Sequence, residues 1–360
     1  MYLITNRRVD PDEQGTDKLG KRPNQKGNNE LRVAKATRDG RGLRLEILED
    51  KIDKAEATDY INEFSLDLDP DAQHYCSLRV ACKLFRKLQD EDRNLLFFVH
   101  GYNNNVRDML NTAFMLEERY NVEVLPFTWP ANGGGVHGKA SYLSDKRDAR
   151  ASAGALERSL RLIHHYLHLI TASIRCEMKE RAVNQHPNNA EKRDSLFAKL
   201  IDDRCTISIN GLFHSMGNYL YKHMLKSTIS EGNQLLFDNV VLCQADTNNE
   251  HHSLWVDQIR HNKRVLITIN ENDYALRLSR MKTGDAQRAR LGHFIKRLDS
   301  DIANYVDLTD ASWVQKSHSP FGEPATRNKK LHKFFQHAFS GKDTDELLTL
   351  KRAQSVYVLK

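Results

Sequence analysis

Five short runs of almost uninterrupted apolar residues, each closed by a polar or glycine-containing turn, constrain this chain most strongly. They are Asn94–Val99, Val122–Trp129, Thr206–Phe213, Asn239–Ala245 and Arg264–Ile269. A strand that carries apolar residues without alternation has to be covered on both faces, the situation of a parallel sheet with helices on each side. Helical periodicity lies between the runs, clearest at Leu156, Leu160, Ile163, Leu167 and Ile170. Strands alternating with helices give the expected fold class: α/β, with a mostly parallel, doubly wound sheet. A last strand is expected over Tyr305-Val-Asp-Leu.

The division expected from composition is an N-terminal extension over residues 1–93, a core over 94–322 and a C-terminal segment over 323–360. The extension opens with an edge strand, Tyr2–Thr5. Its polar continuation through Gly15, Gly20, Asn24, Gly27, Asn28 and Asn29 has the character of a long loop or mobile arm. Within the core, residues 176–203 are dense in charge and are expected to form a solvated insertion that decorates the surface. The C-terminal segment carries a basic amphipathic stretch, Lys329–Phe339, followed by a strand at Ser355–Leu359. Leu331, Phe334, Phe335 and Phe339 can dock such a helix on the core, or lay it transiently on a membrane surface.

Charge and cysteine usage narrow the function classes. With 54 Lys and Arg against 48 Asp and Glu, the net charge of +6 is a mild excess that suits an acidic substrate or surface and argues against nucleic acid. The five cysteines are an odd number with no C-x-x-C pair, so neither a disulfide framework nor a zinc site is expected. No run of about 18 apolar residues occurs, and the N-terminal charges follow a very short apolar stretch, the reverse of a signal peptide. The expectation is a soluble, cytoplasmic protein.

The segment richest in chemistry is Thr206–Leu225, where a β-rich run turns at His214-Ser215-Met216-Gly217 into a helical pattern. A serine exposed on a sharp strand-to-helix reversal needs small neighbours two positions away. Gly217 supplies one, whereas Phe213 stands where the other belongs. The competing role for Ser215 is an ordinary helix N-cap. As a nucleophile it would place the Met216 N–H as one oxyanion donor, with the Tyr102 N–H after Gly101 as the second. Two strand-end carboxylates, Asp246 and Asp273, follow Ser215 and leave the acid open; Asp273 also has a competing role as an N-cap. Sixteen histidines make position decisive. His318, on a loop after the last expected strand, is placed to reach over the sheet as general base, with His293 in reserve. His100 and His214 flank the oxyanion donors and are expected to hydrogen-bond around the pocket.

Phe98-Val-His-Gly-Tyr-Asn-Asn-Asn, Phe127-Thr-Trp-Pro, His214-Ser-Met-Gly-Asn, Asn272-Asp-Tyr-Ala-Leu and Ser317-His-Ser together resemble a family of α/β-hydrolase domains of unknown function. The resemblance runs over about residues 94–320. It implies the α/β-hydrolase fold, a triad in the order Ser215, Asp273, His318, and lipase- or esterase-like chemistry without a cofactor; the partner expected for such chemistry is a small-molecule or lipid ester. It does not imply a substrate. Two rivals stand beside it. Gly133-Gly-Gly-Val-His-Gly-Lys139-Ala140 matches G-x-x-x-x-G-K of a nucleotide phosphohydrolase, but Ala140 replaces the hydroxyl residue that ligates Mg²⁺. The other is an α/β-hydrolase scaffold that binds a partner without catalysis.

Overall fold

The computed structural model describes the chain except residues 41, 132–138, 205–206, 228–234, 282–288, 352–354 and 360. The described residues form two compact units: Met1–Ile47, Arg93–Ser159 and Ser208–Lys360 in the first, Leu48–Asp92 and Leu160–Ile207 in the second.

Thirteen strands are described, all in the first unit. In chain order they are β1 (Tyr2–Thr5), β2 (Arg7–Val9), β3 (Leu19–Pro23), β4 (Arg32–Asp39), β5 (Gly42–Ile47), β6 (Asn94–Val99) and β7 (Val122–Thr128). Then come β8 (Ile209–His214), β9 (Phe237–Cys243), β10 (His261–Ile269), β11 (Ala303–Asp307), β12 (Leu348–Lys351) and β13 (Val356–Leu359). Eleven of them make one sheet in the order β12-β13-β11-β10-β9-β8-β6-β7-β1-β4-β5, and β2 pairs with β3 alone. The middle of the sheet, from β11 to β1, is parallel throughout; antiparallel pairs occur only toward its margins.

The apolar runs predicted from sequence are the central strands, and each is buried along nearly its whole length. Helices on the faces supply the cover. The Lys329–Phe339 helix starts where the Asn328 side chain accepts from Lys330 and Leu331 N–H, and buries Leu331, Phe334, Phe335, Ala338 and Phe339 in the sheet-unit core. The 3- and 4-residue spacing of these five puts them on one stripe, leaving the lysines outside. The Val106–Tyr120 helix is capped likewise by Asn105 and buries Val106, Met109, Leu110, Ala113 and Leu116.

Chain order reverses between β6 and β8: the chain moves outward from β6 to β7 in one direction and from β8 to β11 in the other. In open α/β sheets, the crevice beyond the carboxyl ends at such a reversal is where loops splay apart and ligands bind. Register brings these ends level, with Val99 opposite Phe213 and His214 opposite Cys243.

Three sequence expectations need correction. Tyr2–Thr5 is not an edge strand but lies between β7 and β4, with Leu3 and Ile4 buried. The polar stretch after it is not one long loop, since Leu19–Pro23 pairs with Arg7–Val9. Residues 176–203 are mostly exposed, but they are more than surface decoration. They continue the Ala153–Gln185 helix and form most of the Ala190–Arg204 helix, and Met178 is buried in the second unit's core with Leu78, Phe85, Tyr166 and Ile170. High charge hid a face that is apolar only at helical spacing.

Phe335 is fully buried among Tyr120, Phe321, Phe334 and Phe339. Truncation there leaves a cavity that a packed aromatic cluster cannot close. Phe335→Ala is expected to destabilise the sheet unit by about 3–5 kcal/mol, read as a lowered denaturation midpoint; an unchanged midpoint contradicts this packing.

Candidate active site

Strand β8 ends at His214 and the Met216–Leu225 helix begins two residues later. Ser215 between them has φ +55° and ψ −120°, a conformation that L-residues adopt only under constraint. Its hydroxyl does not cap the helix. The constraint comes from main-chain bonds on both sides: Ser215 N–H donates to the Cys243 carbonyl at 3.0 Å, and the Ser215 carbonyl accepts from Asp246 N–H at 3.1 Å. The Asn218 side chain further donates to the Phe213 and Ser215 carbonyls, at 2.7 and 3.2 Å.

Phe213, the large residue at the position expected to be small, is accommodated by stacking on Tyr221 with ring centroids 3.8 Å apart. Gly211 makes the space, because a Cβ there would lie 3.0 Å from the Phe213 ring. Gly217 cannot be replaced so easily: its Cβ would lie 2.6 Å from the Val99 carbonyl oxygen. The turn after β6 sits equally close, since a Cβ on Gly101 would be 2.6 Å from Ser215 Cβ.

The loop His100–Asn104 is held from several directions. His100 is buried, stacks on Trp129 at 5.2 Å, and contacts the Gly101 carbonyl through Nδ1 at 2.9 Å and Thr128 Oγ1 through Nε2 at 3.0 Å. Burial, then the nearby Arg7 charge, lowers its pKa to about 3. Asn104 Nδ2 donates to the Gly101 and Tyr102 carbonyls, and Asn103 N–H donates to Asp145. Met216, as the first helical residue, has an N–H with no intrahelical acceptor.

His318 Nδ1 lies 2.7 Å from Asp273 Oδ2. The Asp273 side chain is completely buried while that of His318 is 24% exposed, so the imidazole reaches solvent and its partner does not. Asp273 uses its two oxygens separately: Oδ1 caps the following helix by accepting Leu276 N–H at 3.0 Å, and Oδ2 lies against the histidine. The His318 loop is tied to the turn holding Ser215, because His214 Nε2 donates to the His318 carbonyl at 2.8 Å. Burial, reinforced by the His318 charge, lowers the His214 pKa to about 3, so it stays neutral. For His318 burial opposes protonation, but the Asp273 charge and hydrogen bond, aided by Asp246, outweigh it and raise the pKa above 6.5.

Asp246, the alternative acid, is otherwise engaged. It accepts from Tyr142 OH at 2.9 Å and Ser279 Oγ at 2.6 Å and pairs with Arg290 at 3.1 Å, all four side chains being buried. His293, the reserve base, is buried with its pKa lowered by that burial and makes no hydrogen bond to Asp273. The glycine-rich stretch 133–138 lies outside the described residues, as does the Lys139 side chain. Among the described residues no group of three or more His, Cys, Asp or Glu is placed to hold a metal ion, and no helix is long and apolar enough to cross a membrane.

Sequence reasoning missed Arg7, Thr128, Tyr142, Ser279 and Arg290. Each is an ordinary polar residue in its local segment and becomes notable only because the fold buries it beside the turn.

Residues 80–185 and 179–319 match the family described as alpha/beta hydrolase of unknown function (DUF900). The chain belongs to that family. No curated protein and no solved structure matches the chain. The alpha/beta hydrolase match begins before β6 and ends one residue beyond His318, so it includes Gly101, Ser215, Asp273 and His318 and leaves out β1–β5.

Proton affinity at His318 is directly measurable. An NMR titration should place it above the ordinary histidine value of 6.5, and Asp273→Asn should lower it by removing the largest favourable charge. Because the folded value is the raised one, this pair's stabilisation is complete below about pH 6.5 and fades as pH rises through the folded pKa. A wild-type value at or below 6.5 contradicts the assignment.

Proposed function

We propose that this alpha/beta hydrolase is a serine hydrolase that cleaves a carboxylic ester through an acyl-enzyme on Ser215. The observation that carries the reading is the buried Asp273 carboxylate bonded at 2.7 Å to a solvent-reaching His318, on a loop held by the residue immediately before Ser215. A histidine oriented by a carboxylate has its Nδ1–H engaged and its Nε2 free to accept a proton.

In this reading Ser215 Oγ attacks the ester carbonyl carbon as its proton passes to His318 Nε2. The oxyanion is held by the Met216 and Tyr102 N–H groups, His318 returns its proton to the departing alkoxide, and water then releases the acyl group by the same route. The positive φ at Ser215, a strain of about 1–3 kcal/mol at a strand-to-helix turn on a residue whose hydroxyl caps nothing, supports the nucleophile role. His318 has to be neutral to act, so kcat/KM should fall as pH drops through a value above 6.5.

Ser215→Ala should abolish labelling by a fluorophosphonate probe and cut kcat on p-nitrophenyl esters by about 10³-fold or more with the fold intact. Undiminished turnover by the variant removes Ser215 from the reaction.

The two carboxylates separate by their partners. Asp273→Asn keeps the shape but no longer stabilises the imidazolium, and should lower kcat by about 10²- to 10⁴-fold with KM nearly unchanged. Asp246→Asn should lower it about tenfold at most. A larger loss in Asp246→Asn, with both variants folded by circular dichroism, reverses the assignment of the acid.

A further inference from the structure

Arg7 is among the largest fully buried side chains of the protein, and it lies outside the segment matched to the family. Its guanidinium is spent on four hydrogen bonds: Nε to Thr128 Oγ1 at 3.0 Å, one terminal nitrogen to the Gly20 and Ala131 carbonyls at 3.1 and 3.2 Å, the other to the Asn104 carbonyl at 3.1 Å. Two of these acceptors, Thr128 and Asn104, belong to the surroundings of the Gly101–Tyr102 peptide. Burial lowers the Arg7 pKa to about 9, opposed by Asp145 and Asp148, so the group remains a cation at neutral pH. Burying a charge is costly unless it is hydrogen-bonded and paired, which these four acceptors and the nearby Asp145 and Asp148 provide.

The donors and acceptors around it allow one proton arrangement. Gly101 O can only accept, so the facing His100 Nδ1 must carry the hydrogen, and in a neutral imidazole Nε2 is then an acceptor. Thr128 Oγ1 receives Arg7 Nε–H, and its own hydrogen is available for His100 Nε2 at 3.0 Å. The direction of transfer therefore runs from Arg7 to Thr128 to His100 to the Gly101 carbonyl. Thr128 is itself fixed, its carbonyl accepting from Thr5 Oγ1 at 2.8 Å while Thr5 Oγ1 accepts Arg7 N–H at 3.0 Å. No peptide bond here is cis, so pinning the Gly101 carbonyl points the Tyr102 N–H of the same planar unit the opposite way.

We propose that Arg7, acting through Thr128, is a positioning residue that fixes the Nδ1–H tautomer of His100 and thereby aims the Tyr102 N–H at the developing oxyanion. The proposal rests on the serine-hydrolase reading for its catalytic consequence, while the tautomer stands independently of it. Removing the middle of the relay loosens the loop beside Ser215 without touching substrate, so the loss falls on kcat.

The test uses the full chain with ¹⁵N-labelled histidine. Long-range ¹H–¹⁵N correlations should show His100 as the Nδ1–H tautomer in the wild type and in Thr128→Ser. Thr128→Val, which keeps the shape and deletes the hydroxyl, should lower kcat on a p-nitrophenyl ester about tenfold with KM within about twofold, and Thr128→Ser should restore most of it. An Nε2–H signal for wild-type His100, or a folded Thr128→Val with unchanged kcat, overturns the proposal. The wild-type spectrum needs no variant, so a folding defect in Thr128→Val leaves the relay open to refutation. A wild type that neither turns over esters nor takes a fluorophosphonate sinks the hydrolase reading, while the same spectrum still decides the tautomer.

Discussion

Two turns of the chain approach each other so closely that no side chain fits between them, and the site is organised around that contact. The ends of β6 and β8 are level neighbours, and at this spacing Gly101 lies against Ser215 while Gly217 lies against the Val99 and His100 carbonyls. The close approach sets Gly101 directly beside Ser215, whose backbone is strained. That strain is offset locally, because the Ser215 N–H and carbonyl and the Asn218 side chain are all hydrogen-bonded to neighbouring main chain.

Two acidic side chains at adjacent strand ends show how environment divides labour between like groups. Asp246 follows β9 and Asp273 follows β10, which pair in parallel, so sequence position alone treats them alike. Three buried donors saturate Asp246, and its charge is matched by Arg290. Asp273 has one main-chain N–H and one imidazole, and nothing else among the described residues competes for its second oxygen. A carboxylate neutralised by an arginine is a structural anchor; one whose nearest cation is a titratable ring tunes that ring.

The architecture was legible because burial on both faces leaves a signature in a single strand: Asn94–Val99 and Asn239–Cys243 cannot be anything but covered. The turn residues were legible as short motifs at strand ends, His100-Gly101-Tyr102 and His214-Ser215-Met216-Gly217, although the contacts that require Gly101 and Gly217 to be glycine lie across the sheet. What escaped was non-local. Arg7 sits in a polar, basic N-terminal stretch, and three of its four guanidinium contacts lie about 100 residues or more away, at Asn104, Thr128 and Ala131. Residues 176–203 misled in the opposite sense, because their density of charge concealed Met178 and Ala182, buried at helical spacing. Phe213 broke the expected small-residue rule, and it is tolerated because it stacks on Tyr221, eight positions on, over the space that Gly211 leaves.

The scatter of the site along the chain has a consequence for synthesis. Arg7 and the His100 loop leave the ribosome early and Ser215 later, but His318 emerges roughly a hundred residues after the serine it accompanies. At about 5–20 residues per second, Ser215 spends some 5–20 seconds as part of a nascent chain that lacks its histidine. In the proposed hydrolase, the Ser215 hydroxyl would therefore stay without its general base until residue 318 has been made and the Asp273–His318 pair has formed.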